Sequence, residues 1–202
     1  MEGSSSVGKT EITILTHGNL HTMANDEQQQ LLNKIVRDDS QDKQVLLMIN
    51  GAAGTGKTFL IKLIENSMNR SVRKRVVLMT GSTGKAAKAI GGRTLHCTIG
   101  LPNEKPEDLE RLKYQAFICV TTRLIIIDEI TLLASWHLDA TDMVLKRTPK
   151  RTDALFGGLS IILVGDLRQL NLGGWRGKKQ IDTVFIKVGG YPDPISCQNV
   201  CD

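Results

Sequence analysis

Aromatic residues make up only 4% of this 202-residue chain, so any core has to be assembled from Leu, Ile, Val and Ala. Cysteine is equally sparse. Cys97, Cys119, Cys197 and Cys201 are too few and too scattered for a disulfide framework in a chain of this length. No second Cys or His pair follows the Cys197/Cys201 spacing, which argues against a structural zinc site. No apolar run approaches the roughly 20 residues a membrane span needs, and the first residues lack the apolar stretch of a signal peptide. The expectation is a soluble intracellular protein with no membrane partner. Neither sign of charge dominates: 26 Lys+Arg against 21 Asp+Glu leave a net +5, which permits a polyanionic partner without identifying one. What remains is an ordinary globular composition, 41% hydrophobic and 23% charged, with length enough for a sizeable core.

Residues 1–24 are rich in Ser, Thr and Gly and read as a flexible tail, with one short strand at Glu11–Thr16. From Asn25 the pattern changes. Asn25 or Asp26 can cap a helix whose apolar stripe is Leu31, Leu32, Ile35 and Val36. Strand-length apolar runs at Val45–Asn50, Arg75–Thr80, Arg123–Ile127 and Leu159–Val164 then alternate with helical stretches at Thr58–Met68, Lys85–Ile90, Leu109–Phe117 and Leu132–Lys146. Strands apolar throughout, separated by helices, imply an α/β fold with a parallel sheet covered on both faces. The segment 173–202 carries glycines, the basic cluster Arg176, Lys178 and Lys179, and a strand-like run at Thr183–Val188, and reads as the start of a further unit.

Gly51-Ala52-Ala53-Gly54-Thr55-Gly56-Lys57-Thr58 fits the phosphate-loop pattern G-x-x-x-x-G-K-[ST]. An apolar strand runs into it and an amphipathic helix leaves it, and this context gives the pattern its weight. The glycines let backbone N–H groups point inward around a phosphate, and the helix N-terminus adds its positive end. Lys57 would bridge the β- and γ-phosphates of ATP, and the Thr58 hydroxyl would bind Mg2+. The same pattern recurs at Gly3–Thr10, where no strand can precede it and the residues after it are β-branched; there it is a coincidence of composition.

Asp128 and Glu129 end the third buried run. Asp128 can complete the metal shell, while Glu129 can orient and deprotonate a water, which favours hydrolysis over transfer to a small molecule. After the fourth run come Gly165, Asp166, Leu167, Arg168 and Gln169; the Gln169 amide is suited to touch the γ-phosphate or the attacking water.

The order of these motifs resembles superfamily-one DNA helicases of the PIF type, including the helicase domains of Helitron-like transposons. The resemblance covers residues 25–172. Asp26-Glu27-Gln28 is similar to the adenine-reading Q motif, GAAGTGKT to motif I, TGSTGKAAKAIGGRTLHCTIGL to motif Ia and its following loop, DEITLL to motif II and FGGLSIILVGDLRQL to motif III. It implies the first RecA-like motor domain, with motif I on the central strand and the motif III strand between those of motifs I and II. It also implies that Gln28 sits against the base, and that Thr83, Gly84, Lys85, Thr94 and His96 contact the backbone of single-stranded DNA. The family's Leu-Pro-Pro-Val after the motif III Gln is replaced here by Leu170-Asn171-Leu172-Gly173. A second RecA-like domain, with arginines that complete the ATP site, has no counterpart in the 202 residues. Residence in the nucleus and work in DNA repair, recombination and telomere maintenance follow from the same resemblance. Without it, His96 reads as a satisfied loop residue, and Lys85 and Lys88 as one solvated helix face. An inactive transposon-derived module that binds nucleic acid or protein, and a P-loop phosphotransferase, are the competing readings.

Overall fold

Unbroken apolar runs make strands with no polar side to turn to water, so both faces of the sheet they form must be covered. The computed structural model describes residues 17–72, 76–102, 104–108, 118, 120–148, 153–166, 169 and 198–199. Among them are strands β1 (Leu46–Asn50), β2 (Val77–Gly81), β3 (Arg93–Thr94), β4 (Leu124–Asp128), β5 (Ser160–Gly165) and β6 (Gln198–Asn199). Helices are α1 (His17–Met23), α2 (Asp26–Ser40), α3 (Lys57–Val72), α4 (Gly84–Ile90), α5 (Leu95–Ile99) and α6 (Ser135–Lys146). The strands lie in the order β3-β2-β4-β5-β1-β6, and every pairing is parallel.

Alternation along each strand divides the core in two. Leu47, Ile49, Val77, Met79, Leu124, Ile126, Ile162 and Val164 face one cluster, which Leu31, Leu32 and Ile35 of α2 and Leu60, Leu63 and Ile64 of α3 complete. Met48, Ile125, Ile127, Ile161 and Leu163 face the other, filled by Leu95 and Ile99 of α5 and Leu138, Val144 and Leu145 of α6. The sheet is thus covered on both sides without a large aromatic contribution.

The helix expected after Asn25 forms, and Asn25 caps it: its Oδ1 accepts from the Gln28 N–H at 2.8 Å, while its own N–H donates to Gln28 Oε1 at 3.3 Å. The four expected strands fall within two residues of their positions, and β5 does lie between β1 and β4. Three expectations are corrected. Residues 17–23 are not flexible tail but helix α1, with Leu20 and the following Ala24 buried in the first cluster and His21 Nε2 3.2 Å from Ser67 Oγ on α3. The helix expected from Leu132 begins only at Ser135, because Ile130–Leu132 forms a separate 3-10 turn. Finally, β1 is not central: among the described strands it has only β6 beyond it. The strand at Glu11–Thr16, the helix at Leu109–Phe117 and the run at Thr183–Val188 lie outside the described residues.

Where β2 passes into α4 the backbones nearly touch. A Cβ on Gly81 would sit 2.4 Å from the Ala87 backbone nitrogen, whereas one on Gly84 would meet nothing within 4 Å. Gly81→Ala is therefore expected to cost about 1–3 kcal/mol in urea denaturation, while Gly84→Ala leaves the midpoint close to that of the parent protein.

Candidate nucleotide and nucleic-acid site

The turn from β1 into α3 needs backbone conformations that side chains resist. Gly54 and Gly56 take φ of +82° and +86°, both left-handed. The Gly51 N–H donates to the Gly165 carbonyl at 3.1 Å, tying the loop's entry to the end of β5. Within the loop, Thr55 Oγ1 donates to the Ala52 carbonyl at 2.8 Å. The Lys57 ammonium folds back over it and donates to the Gly51 and Ala52 carbonyls, each at 2.7 Å. Ala53, Gly54 and Thr58 are exposed. A cation is thereby held above the loop by weak neutral acceptors, which the oxygens of a phosphate can replace with stronger charge-assisted bonds.

Gln28 is buried, and its side-chain oxygen is engaged by Asn25 in the α2 cap. Its Nε2 lies 3.4 Å from where a Cβ on Gly56 would be, so the first turn of α2 abuts the loop.

Asp128 closes β4 and is 7% exposed. Its Oδ1 accepts from the Glu129 N–H at 2.9 Å. Burial pushes its carboxyl above the usual range; that backbone bond and the Lys57 charge oppose the shift, and the Glu129 charge adds to it. Among the described residues no cation lies within ion-pair distance of Asp128. A buried carboxylate balanced only by a neighbouring amide and a nearby ammonium suits a divalent cation. Glu129 follows in the left-handed region at φ 58°, ψ 45°, a conformation that costs a side-chain-bearing residue about 1–2 kcal/mol. The turn it opens packs so closely on β5 that a Cβ on Gly165 would sit 2.9 Å from Ile130 Cγ2.

Gln169 is exposed and donates from Nε2 to Asp166 Oδ2 at 3.0 Å. Asp166, 5% exposed just past β5, is thus the anchor of the residue that the motif singles out. Its position directly after a buried strand was the available signal.

On the far side of β4, the parallel pairing of β2 with β3 sets Gly81 against Thr94. It brings the segment Thr83–Lys85 and the pair Thr94, His96 to the same end of the sheet. Both threonines are helix caps: Thr83 Oγ1 accepts from the Ala86 N–H at 3.2 Å, and Thr94 Oγ1 from the Cys97 N–H at 3.3 Å. Their hydroxyl protons are left to donate elsewhere. The preceding Ser82 donates its N–H to the Asp128 carbonyl at 3.0 Å, while its hydroxyl is buried without a partner. Lys85 is exposed. His96 meets a ring that sequence reading passed over: His137 of α6, edge-on at a centroid distance of 4.9 Å, with Trp136 stacked against His137 at 3.8 Å.

A parallel sheet flanked by helices, a glycine loop between β1 and α3 and carboxylates at the end of β4 together define a P-loop protein of the RecA-like class. The family is narrower. The family model described as PIF1-like helicase matches residues 23–185, further at both ends than the motifs suggest, and the chain belongs to that family. It is 33% identical over 150 residues to the ATP-dependent DNA helicase RRM3 of Saccharomyces cerevisiae, a match covering 71% of this chain and 20% of that protein. Unliganded Pif1 from Bacteroides sp. is similar at a TM-score of 0.60 and 28% identity, over 81% of this chain and 36% of that one. Pif1 helicase from Bacteroides in complex with ADP-AlF3 and ssDNA is similar at a TM-score of 0.59 and 32% identity, over 80% and 36%. The chain thus spans about a fifth of the length of that yeast relative. No helix among the described residues is long and apolar enough to cross a membrane.

Two predictions follow from the buried charges. Because the folded protein raises the Asp128 pKa, it binds that proton more readily than the unfolded chain, so the ionised carboxylate lowers stability at neutral pH. Asp128→Asn should raise the thermal midpoint of the ligand-free protein, and the gap should close on acidification through the raised pKa. His96 and His137 are shifted the other way, below 6.5, with burial the main cause for each. Their contribution to stability is complete above that value and is lost as pH falls through it toward the folded-state pKa. The midpoint should therefore drop between neutral pH and about pH 5, and drop less in His137→Gln.

Proposed function

We propose that this domain binds Mg·ATP and is the first motor domain of a DNA helicase, one that couples ATP hydrolysis to movement along single-stranded DNA and to unwinding. The observation that carries the reading is convergence: the loop after β1, Asp166–Gln169 after β5 and Asp128–Glu129 at the end of β4 stand at the carboxyl ends of three adjacent strands. Ligands of open α/β sheets bind at that edge.

In this reading the amides of Gly51, Ala52, Ala53, Gly54, Thr55 and Gly56 wrap the phosphates, and Lys57 leaves its two loop carbonyls for the β- and γ-oxygens. Gln28 reads the adenine with its amide nitrogen. Thr58 and Asp128 would hold Mg2+, whose charge would offset that developing on the phosphates. Glu129 takes the proton of the attacking water, and its strained backbone fixes where that carboxylate points. Gln169, positioned by Asp166, senses the γ-phosphate. Thr83, Gly84, Lys85, Thr94 and His96 hold the DNA backbone with short hydroxyls, a cation and amides, a set that binds phosphates without reading sequence. A second RecA-like domain completes the ATP site across a cleft. The solved Bacteroides relative that holds ADP-AlF3 and ssDNA supports both ligands. Work in the nucleus, in repair, recombination or telomere maintenance, belongs to the same proposal and rests on the family membership alone.

Titration of a fluorescent ATP analogue in the presence of Mg2+ tests it. Saturable binding is expected, weakened about 10- to 100-fold in Lys57→Ala through the loss of charge-assisted bonds. An identical curve for the variant would overturn the assignment of the loop.

A further inference from the structure

We infer that Trp136, backed by His137 and continued by His96, is a stacking platform for a base of the single strand whose phosphates run over Thr83–Lys85 and Thr94. The inference rests on the DNA reading above and adds to it a surface that reads no sequence but does require bases.

Three rings form a continuous run from α6 to α5. The indole of Trp136 lies on the His137 imidazole at 3.8 Å with 24° between the planes, and His137 meets His96 edge-on at 4.9 Å and 70°. The middle ring is the fixed one. His137 is 9% exposed, and its Nδ1 lies 3.0 Å from both the N–H and the carbonyl of Ala134, so the first turn of α6 locks its orientation. The outer two rings are only half-buried. Trp136 is therefore an aromatic plane held in place before any ligand arrives, and little rotamer freedom remains to be lost on binding.

Its surroundings select the ligand. His96 is two residues from Thr94, which pairs with Gly81 and so adjoins the Ser82–Lys85 segment. The platform thus begins where the phosphate-holding residues end. Leu132, in the 3-10 turn that precedes α6, is another apolar side chain and is 62% exposed. Burial disfavours the charged form of both imidazoles, which suits the face of a base better than a phosphate. Lys85 of α4 and Arg93 of β3, both exposed, lie on the two elements that precede α5 and supply the positive flank a strand of nucleic acid needs.

The test separates bases from backbone. The full chain is titrated at low salt with oligo(dT) and with an abasic deoxyribose-phosphate oligomer of equal length. The parent protein should bind oligo(dT) more tightly than the abasic oligomer. Trp136→Leu, which keeps an apolar side chain for packing, should lose roughly 5- to 100-fold on oligo(dT) and converge on the abasic affinity. Trp136→Phe should retain part of the difference. In a Trp175→Phe background, oligo(dT) should quench the Trp136 fluorescence and the abasic oligomer should not. Equal affinity of the parent for both oligomers, or an equal loss on both in Trp136→Leu, would overturn the platform while leaving the DNA reading intact. A Trp136 signal that responds to an added second motor domain and not to oligo(dT) would assign the surface to a protein partner instead. Failure of the parent to bind either oligomer would sink the DNA reading itself, and the platform with it.

Discussion

A parallel sheet buried on both faces leaves the chain only two edges of loops at which to do chemistry, and the direction of the strands decides between them. Here the constraint is set by residues such as Ile125, Ile126 and Ile127, each with no exposed surface, which alternate between two helical layers. Because all the strands run the same way, the loops leaving β1, β2, β4 and β5 come to a common edge. Asp128 marks the cost. It continues the buried alternation of β4 but carries a carboxyl group, so the apolar packing that fixes the sheet also raises the energy of the group placed at its end.

Close backbone approach is the second organising feature. Gly165 lets the turn after Glu129 pack against β5, Gly81 lets β2 press on α4, and the Gly51 N–H reaches the Gly165 carbonyl. These contacts hold three loops in register through main chain at Gly51 and Gly81 and through the Ile130 side chain packed on Gly165. Specificity of position is bought with absent methyl groups rather than with added interactions. Glu129 does the reverse, as Asp42 and Phe156 do elsewhere: its left-handed backbone keeps a side chain where glycine would be easier.

Much of this was legible in the sequence. Unbroken apolar runs gave the strands, the phosphate-loop pattern gave the turn from β1 to α3, and Asn25 gave the start of α2 through its cap. What stayed hidden depends on contacts between distant residues or on short signals. Among the described residues, helix α1 is anchored by buried Leu20, the Ala24 that follows it and the His21–Ser67 contact, too few apolar positions to make a periodic pattern. The ring run joins residue 96 to residues 136 and 137, and nothing local at either place announces the other. The double use of Gln28, at once a cap residue and a neighbour of Gly56, is visible only once α2 has docked beside the loop.

The bond from the Ser82 amide to the Asp128 carbonyl joins the residue just past β2 to the last residue of its neighbour β4. The residue after Ser82, Thr83, caps α4, so the bond lies directly before the start of that helix. The acidic pair and the segment that begins at Thr83 are therefore linked by a short stretch of main chain whose geometry does not depend on the side chains along it.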